Sequence, residues 1–310
     1  MKRYCQIFKA RTWRLTACLA IMFCGLLVSK ISYSAEDVYI VNASAVVLKA
    51  KYTELSKQLQ HNQFKRALFV NSTESSHNIM GEIYAVVDSP FATFNSALSN
   101  PAHWCDALIL NINIKYCYMT NTQEGDVLLL NIGKKYPQQL ADTYRVEFKY
   151  REVITTPNYF SAEFESKDGP LGTYDYRILV EATPLKDGQT FLHFTYAYSF
   201  GLAGRLAMQT YLATIGRDKI GFTITGRQND GQPLYIKGIR GVVERNTMRY
   251  YLSLDAYLAT LSAPAENQLE KSLQYWFSSS EQYASQLHEI TLDEYLDMKR
   301  QEYKRQQLLQ

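Results

Sequence analysis

Residues 81–108 read GEIYAVVDSPFATFNSALSNPAHWCDAL, and this stretch decides the fold. With the two residues before it, IMGEIYAVVD (79–88) is rich in β-branched and aromatic residues and predicts a strand. Asp88-Ser89-Pro90 then opens a helix over Pro90–Leu98, with Ser89 as N-cap and Pro90 at the first helical position. Phe91, Phe94, Ala97 and Leu98 supply its apolar face, and Asn100-Pro101 stops it. His103-Trp104-Cys105-Asp106 leads into a further strand-like run, Ala107–Met119, in which Leu110, Ile112, Ile114, Tyr116 and Tyr118 alternate with Asn111, Asn113, Lys115 and Cys117.

Downstream, period-two patterning repeats to about residue 200. Tyr144, Val146, Phe148 and Tyr150 share one side of a run. Tyr174, Tyr176, Ile178 and Val180 do the same, as do Leu192, Phe194, Tyr196 and Tyr198. Such alternation is that of an antiparallel sheet packed on one face. Turn signals separate the runs at 123–126, 156–158, 167–170 and 186–188. Upstream, Leu48, Tyr52, Leu55 and Leu59 predict a helix over 42–60.

After Phe200 the period changes. Leu202–Ile215 reads as a helix rich in small residues, and 220–226 with 233–237 as a hairpin around Asn229-Asp230-Gly231. Val242–Leu261 is a long amphipathic helix. Val243, Thr247, Tyr250, Tyr251, Leu254, Tyr257, Leu258 and Leu261 share one face, with Arg245 and Arg249 pointing away. Ala263-Pro264-Ala265 marks a boundary before a polar helical tail, whose last helix opens with a Thr291-x-x-Glu294 capping box and ends in a charged segment expected to fray.

The N-terminus changes the charge arithmetic. Lys2, Arg3, Lys9, Arg11 and Arg14 precede the apolar run Leu15–Val28, which is short of the ~20 residues a spanning helix needs. Small residues follow, and residues 1–34 read as a secretory signal peptide cleaved after Ser34. The alternatives are an uncleaved anchor and a lipobox-type signal at Leu15-Thr16-Ala17-Cys18, although that motif stands before the apolar run instead of after it. The whole chain carries a formal charge of +3; without the segment's six basic residues, 27 basic residues face 30 acids and the charge becomes −3. That removes the basic face nucleic-acid binding requires, and the expected location is periplasmic or secreted. Of five cysteines, Cys105 and Cys117 remain. They are a candidate disulfide in an exported chain, with two partly buried free thiols as the alternative.

The order is helix, strand, helix ending near a Trp, several antiparallel strands, long helix. It resembles the helix-grip fold of the START-like (SRPBCC) superfamily, with residues 81–108 as the local match and roughly 45–261 as its span. The expected class is α+β, a curved antiparallel sheet around a long C-terminal helix. The expected divisions are a START-like domain over 36–262, an insertion at about 202–240 and a helical extension over 263–310. Both the insertion and the extension depart from the resembled pattern.

The resemblance implies a cavity for an apolar ligand between sheet and helix. Its walls would be Tyr144, Phe148, Tyr150, Tyr174, Tyr176, Phe194, Tyr196 and Tyr198 from the sheet. The helix would add Thr247, Tyr250, Tyr251, Leu254, Tyr257 and Leu258. A filled core with hydroxyls at its rim is the competing reading. Burying an apolar ligand yields about 0.8 kcal/mol per methylene, so a lipid or other large apolar molecule is the expected partner. Leu202, Arg205, Leu206, Met208 and Leu212 form a candidate gate able to touch a bilayer, the competing reading being an ordinary packed helix. The tail, with Tyr275, Trp276, Phe277, Tyr283 and Tyr295, is a candidate protein-docking element if its helices do not pack on their own domain.

Enzymatic readings are weaker. The five histidines (His61, His77, His103, His193 and His288) form no HExxH pair, and no GxSxG, GxGxxG or GxxxxGK[ST] occurs, so neither metal nor cofactor is expected. His193 falls opposite the inner face. His103 with Cys105 suggests a nucleophile pair only by adjacency. A cyclase or hydrolase on the same fold would be sought first at Tyr174, Asp175 and Arg177, and an envelope assembly protein is a third class.

Overall fold

The computed structural model describes residues 35–309; the segment read as a signal peptide, residues 1–34, lies outside them. Helices α1 (Ala35–Glu54) and α2 (Ser56–Gln60) come first, broken at Leu55. Leu48, Leu55 and Leu59, from the stripe read over 42–60, are buried against Tyr84, Tyr159 and Phe191 in a separate apolar cluster on the outer face of the sheet.

Strands β1 (Leu68–Glu74) and β2 (Asn78–Val87) form a hairpin, followed by α3 (Phe91–Leu98) and α4 (His103–Leu108). Pro90 itself takes the cap position of α3, and Ser89 makes no capping bond. Six strands follow: β3 (Ile114–Thr122), β4 (Gly125–Ile132), β5 (Tyr144–Thr155), β6 (Phe160–Asp168), β7 (Thr173–Pro184) and β8 (Thr190–Phe200). All neighbours pair antiparallel in the order β1-β2-β8-β7-β6-β5-β4-β3. Then come α5 (Leu202–Ala213), the small hairpin β9 (Ile224–Arg227) and β10 (Pro233–Tyr235), and the long helix α6 (Gly238–Ala259).

The inner face of the sheet grips α6, which crosses β1, β2 and β8. The approach is closest at Gly81, where a Cβ would stand 2.2 Å from Thr247 Oγ1. Trp104 of α4 fills the sheet beside it: its indole N–H donates to the Leu98 carbonyl at 3.0 Å, and its ring meets Phe164 edge-on at 4.8 Å. Such an aromatic pair is worth roughly 0.5–1.5 kcal/mol beyond area burial.

Two expectations change. The run 107–119 is not one strand: α4 and a turn take its first part, and a register shift between Ile114 and Tyr116 reverses the alternation of β3. Cys117 therefore points inward, fully buried and joined to Cys105 in a disulfide with Cα atoms 5.3 Å apart, while Tyr116 is half-buried. Arg245 and Arg249 do point away from the apolar face but are buried all the same: Arg245 donates to the Ile220 carbonyl and Arg249 pairs with Glu289 of the tail.

That tail is α7 (Ala265–Glu281), α8 (Ala284–Leu287) and α9 (Leu292–Leu309). α7 packs on α6, and α9 runs along β3. Trp276, Tyr283 and Tyr295, offered above to a partner, are buried within the chain's own fold. The expected capping box forms, with Thr291 N–H donating to Glu294 Oε2 at 2.8 Å. The charged C-terminal segment does not fray: Lys299, Glu302 and Gln306 are buried against β3.

Candidate functional site

Alternation along β5, β7 and β8 carries Phe148, Tyr150, Tyr176, Phe194, Tyr196 and Tyr198 to the inner face, all buried. From α6, Thr247, Tyr250, Leu254, Tyr257 and Leu258 are buried too. The rings meet directly. Tyr176 stacks on Tyr198 at 5.1 Å between centroids, Tyr196 packs on Tyr250 at 5.3 Å, and Tyr176 lies 6.0 Å from Tyr196. The expected unfilled concavity is thus closed by side chains at this seam. Two surface clefts, of 580 and 440 Å³, flank it: one over α3 and the β5–β6 turn, the other around Arg66 and Asp255, where Leu258 is the one expected wall residue in the lining. Burial raises the pKa of the Tyr176, Tyr196, Tyr198 and Tyr250 hydroxyls, which keeps them protonated and able to donate at neutral pH. The Tyr176 hydroxyl lies 2.6 Å from Thr173 Oγ1. Tyr150, pushed up to about 12 by burial, has a buried hydroxyl without a hydrogen-bond partner.

Three predicted wall residues fall outside this cluster. Tyr144 opens β5 opposite Ile132, the last residue of β4, and is 48% exposed at the rim. Tyr174 is moved by a β-bulge: Asp175 has φ +49°, and the register shifts between Tyr174 and Arg177. Tyr174 then pairs with Ser199, which alternates with the inward Tyr198, so it leaves the inner face half-buried. Tyr251 is fully buried but on another side of α6, under the Arg66 guanidinium at 5.4 Å.

The gate residues sit on α5, where only Gly204 is buried. Its backbone lies so close to the turn at Gly172 that a Cβ would stand 2.9 Å from the Gly172 carbonyl oxygen. Leu202 and Leu206 are 76% and 55% exposed; Met208 and Leu212 are half-buried. Arg205 is not free: it donates to the Ser76 carbonyl in the β1–β2 turn and lies over Phe200.

Cys105 is in the disulfide, so it is no nucleophile. Asp175 and Arg177 are exposed, the latter paired with Glu163. His193 lies on the outer face, as its alternation predicts. It is held between Glu181 at 2.8 Å and Glu82 at 3.2 Å, and its ring stacks 4.2 Å from Tyr84. Among the described residues no group of three or more His, Cys, Asp or Glu could hold a metal.

One constellation escaped sequence reasoning. Lys135 from the β4–β5 loop, Lys219 from the segment after α5, and Arg249 of α6 converge on Glu289, between α8 and α9, at 2.5, 2.9 and 2.7 Å. Only the i,i+4 spacing of Arg245 and Arg249 was visible beforehand, and it said no more than that both point away from the apolar face of the helix. The other members stand in three loops with no spacing to connect them.

No protein-family model matches the chain, and no curated protein sequence does. Solved structures with similar backbones include a START superfamily protein from Mycobacterium smegmatis, at 15% identity over 44% of this chain and 89% of that one, TM-score 0.31. The allergen Ara h 8.0201 aligns at 10% identity over 62% and 99%, TM-score 0.35. A norcoclaurine synthase from Thalictrum flavum aligns at 12% over 44% and 86%, TM-score 0.33. The chain's own topology carries the assignment. A hairpin and two helices lead into six antiparallel strands, the last of which returns to pair with β2, and the resulting sheet closes on a long helix: the α+β, helix-grip fold of START-like proteins.

Proposed function

We propose that the protein binds a large apolar ligand of lipid type between its sheet and α6, outside the cytoplasm, as a carrier or holder and not as a catalyst. The observation that supports this best is the cluster of Tyr176, Tyr196, Tyr198 and Tyr250 at the seam between sheet and helix, beside a lightly anchored α5. Stacked rings on separate elements separate at modest cost, roughly 0.5–1.5 kcal/mol per pair. Each methylene that replaces a ring contact restores about 0.8 kcal/mol. The hydroxyls give such a ligand's polar end something to bond, which an aliphatic wall does not. Ligand entry then requires side-chain and α5 displacement, since the seam is closed at rest.

α5 supports the reading in a second way. Leu202, Leu206 and Ile215 expose apolar surface next to the seam, suited to transient contact with a bilayer. No helix among the described residues is long and apolar enough to cross a membrane. Export through the segment 1–34 and delivery of a lipid between envelope sites belong to the same proposal. Native mass spectrometry on protein purified gently from its envelope tests it. The expected result is a co-purifying apolar mass, held more weakly when Tyr196→Phe and Tyr250→Phe together remove hydroxyls that would meet its polar end. Protein that arrives free of ligand, and takes up no fluorescent fatty-acid or sterol probe, removes the reading.

A further inference from the structure

We infer that the Lys135–Lys219–Arg249 cluster is a binding site for an oxyanion of the phosphate type. Three cations from three elements share one carboxylate, and among the described residues Glu289 is the only acid within ion-pair distance of any of them. With all three cations protonated, the group holds two positive charges in excess. Arg245, one turn earlier on α6 and donating to the Ile220 carbonyl at 3.0 Å, adds a third. The charges are largely removed from water: the Arg249 side chain is 3% exposed and Glu289 12%, with Lys135 and Lys219 near 25%. Desolvated like charges at this density are costly unless an anion neutralises them.

Arg249 supplies a second, independent observation. Its Nη2 bonds Glu289, but its buried Nε has no hydrogen-bond partner. An unfilled guanidinium donor at the centre of excess positive charge matches an oxyanion, which brings several acceptor oxygens to one point. Burial and the neighbouring Arg249 hold the Lys135 ammonium down at about 7, and an anion bound beside it would raise that value. Lys135 and Lys219, partly exposed, form the approach from solvent. Glu289 acts as the internal occupant that an external anion displaces or joins.

A free phosphate and the headgroup of an amphiphile share this chemistry, and the inference does not require the apolar-ligand reading. Calorimetric titrations of the full chain at fixed ionic strength, with inorganic phosphate, octyl phosphate and octanol as probes, separate the two. The expected result is saturable phosphate binding, weakened about tenfold in Lys135→Gln and Lys219→Gln, and strengthened in Glu289→Gln. Because Lys135 and Lys219 are partly exposed, those two variants keep their fold, which unfolding curves verify. Octyl phosphate binding more tightly than phosphate, and losing affinity in the same variants, assigns the site to a headgroup; equal affinities assign it to the free anion. Failure of both phosphates to bind overturns the inference, as does binding that the lysine variants leave unchanged. Octanol binding that ignores the lysine variants sustains the apolar-ligand reading alone.

Discussion

A methyl group at Gly81 tests how closely α6 sits on the sheet. It would meet Thr247 Oγ1 at 2.2 Å and Val243 Cγ2 at 3.4 Å. Gly81→Ala is expected to cost about 1–3 kcal/mol, the usual range for overpacking, and to appear as a lower midpoint in denaturant titration. His193 gives a pH signature. Burial alone would lower its pKa, but hydrogen bonds to Glu181 and Glu82 overcome this and raise it above the ordinary imidazole value. The stability it contributes is complete below that ordinary value and lost as pH rises through the raised one. Glu82 is lowered chiefly by its bond to His193. Glu181 is lowered by its bonds to His193 and Tyr159 against an opposing burial effect. Their contribution is present above the ordinary carboxylate value and lost as pH falls through the lowered one. Thermal unfolding across pH should therefore peak between the two ranges, and His193→Gln should flatten the alkaline limb. At this scale the sequence was legible wherever alternation ran unbroken: Phe148, Tyr176, Tyr196 and Tyr198 all turned inward. It failed at Tyr174, where one extra residue in β7 flips the parity, because a non-glycine bulge leaves no mark in the pattern.

Elements differ in how firmly they are held. α4 is tied to β3 by the Cys105–Cys117 bond across a separation of 12 residues. Closing a loop of that size stabilises by roughly 3 kcal/mol, so reduction, or Cys117→Ser, should lower the unfolding free energy by about that much. α5 is the opposite case, anchored at Gly204 with its leucines outward. Leu206→Asp should leave the unfolding temperature within about a degree, since substitutions at exposed positions rarely shift stability. With Met208→Asp it should abolish flotation with anionic vesicles; unchanged flotation rejects a membrane role for this helix. The existence of α3, α5, α6 and the tail helices was readable from caps, breakers and periodicity. Their partners were not. The 3.6 period of α6 reports its strongest apolar face, while the surroundings of Arg245 and Arg249 depend on where Ile220, before the helix, and Glu289, forty residues after Arg249, come to rest.

On the scale of the whole molecule, the tail is structural. α9 closes the outer edge of β3: Gln306 Oε1 accepts from the Cys117 N–H at 3.1 Å, Arg305 donates to the Lys115 carbonyl at 2.7 Å, and Lys299 to the Ile114 carbonyl at 2.7 Å. Truncation after Ala263 would strip α6 of α7 and uncover this edge. The expected product is insoluble or partly unfolded, as read by size-exclusion chromatography, and not a trimmed domain that keeps its function. The order of elements placed the chain among α+β proteins but carried no information on this edge, because the bonds that seal it join residues nearly two hundred positions apart. The seal also has a temporal meaning. α9 is made long after β3, so β3 offers bare peptide groups until that helix has emerged. Nascent copies crowded together can zip strand to strand during that interval, and the eighteen residues of α9 serve as the stopper that ends it.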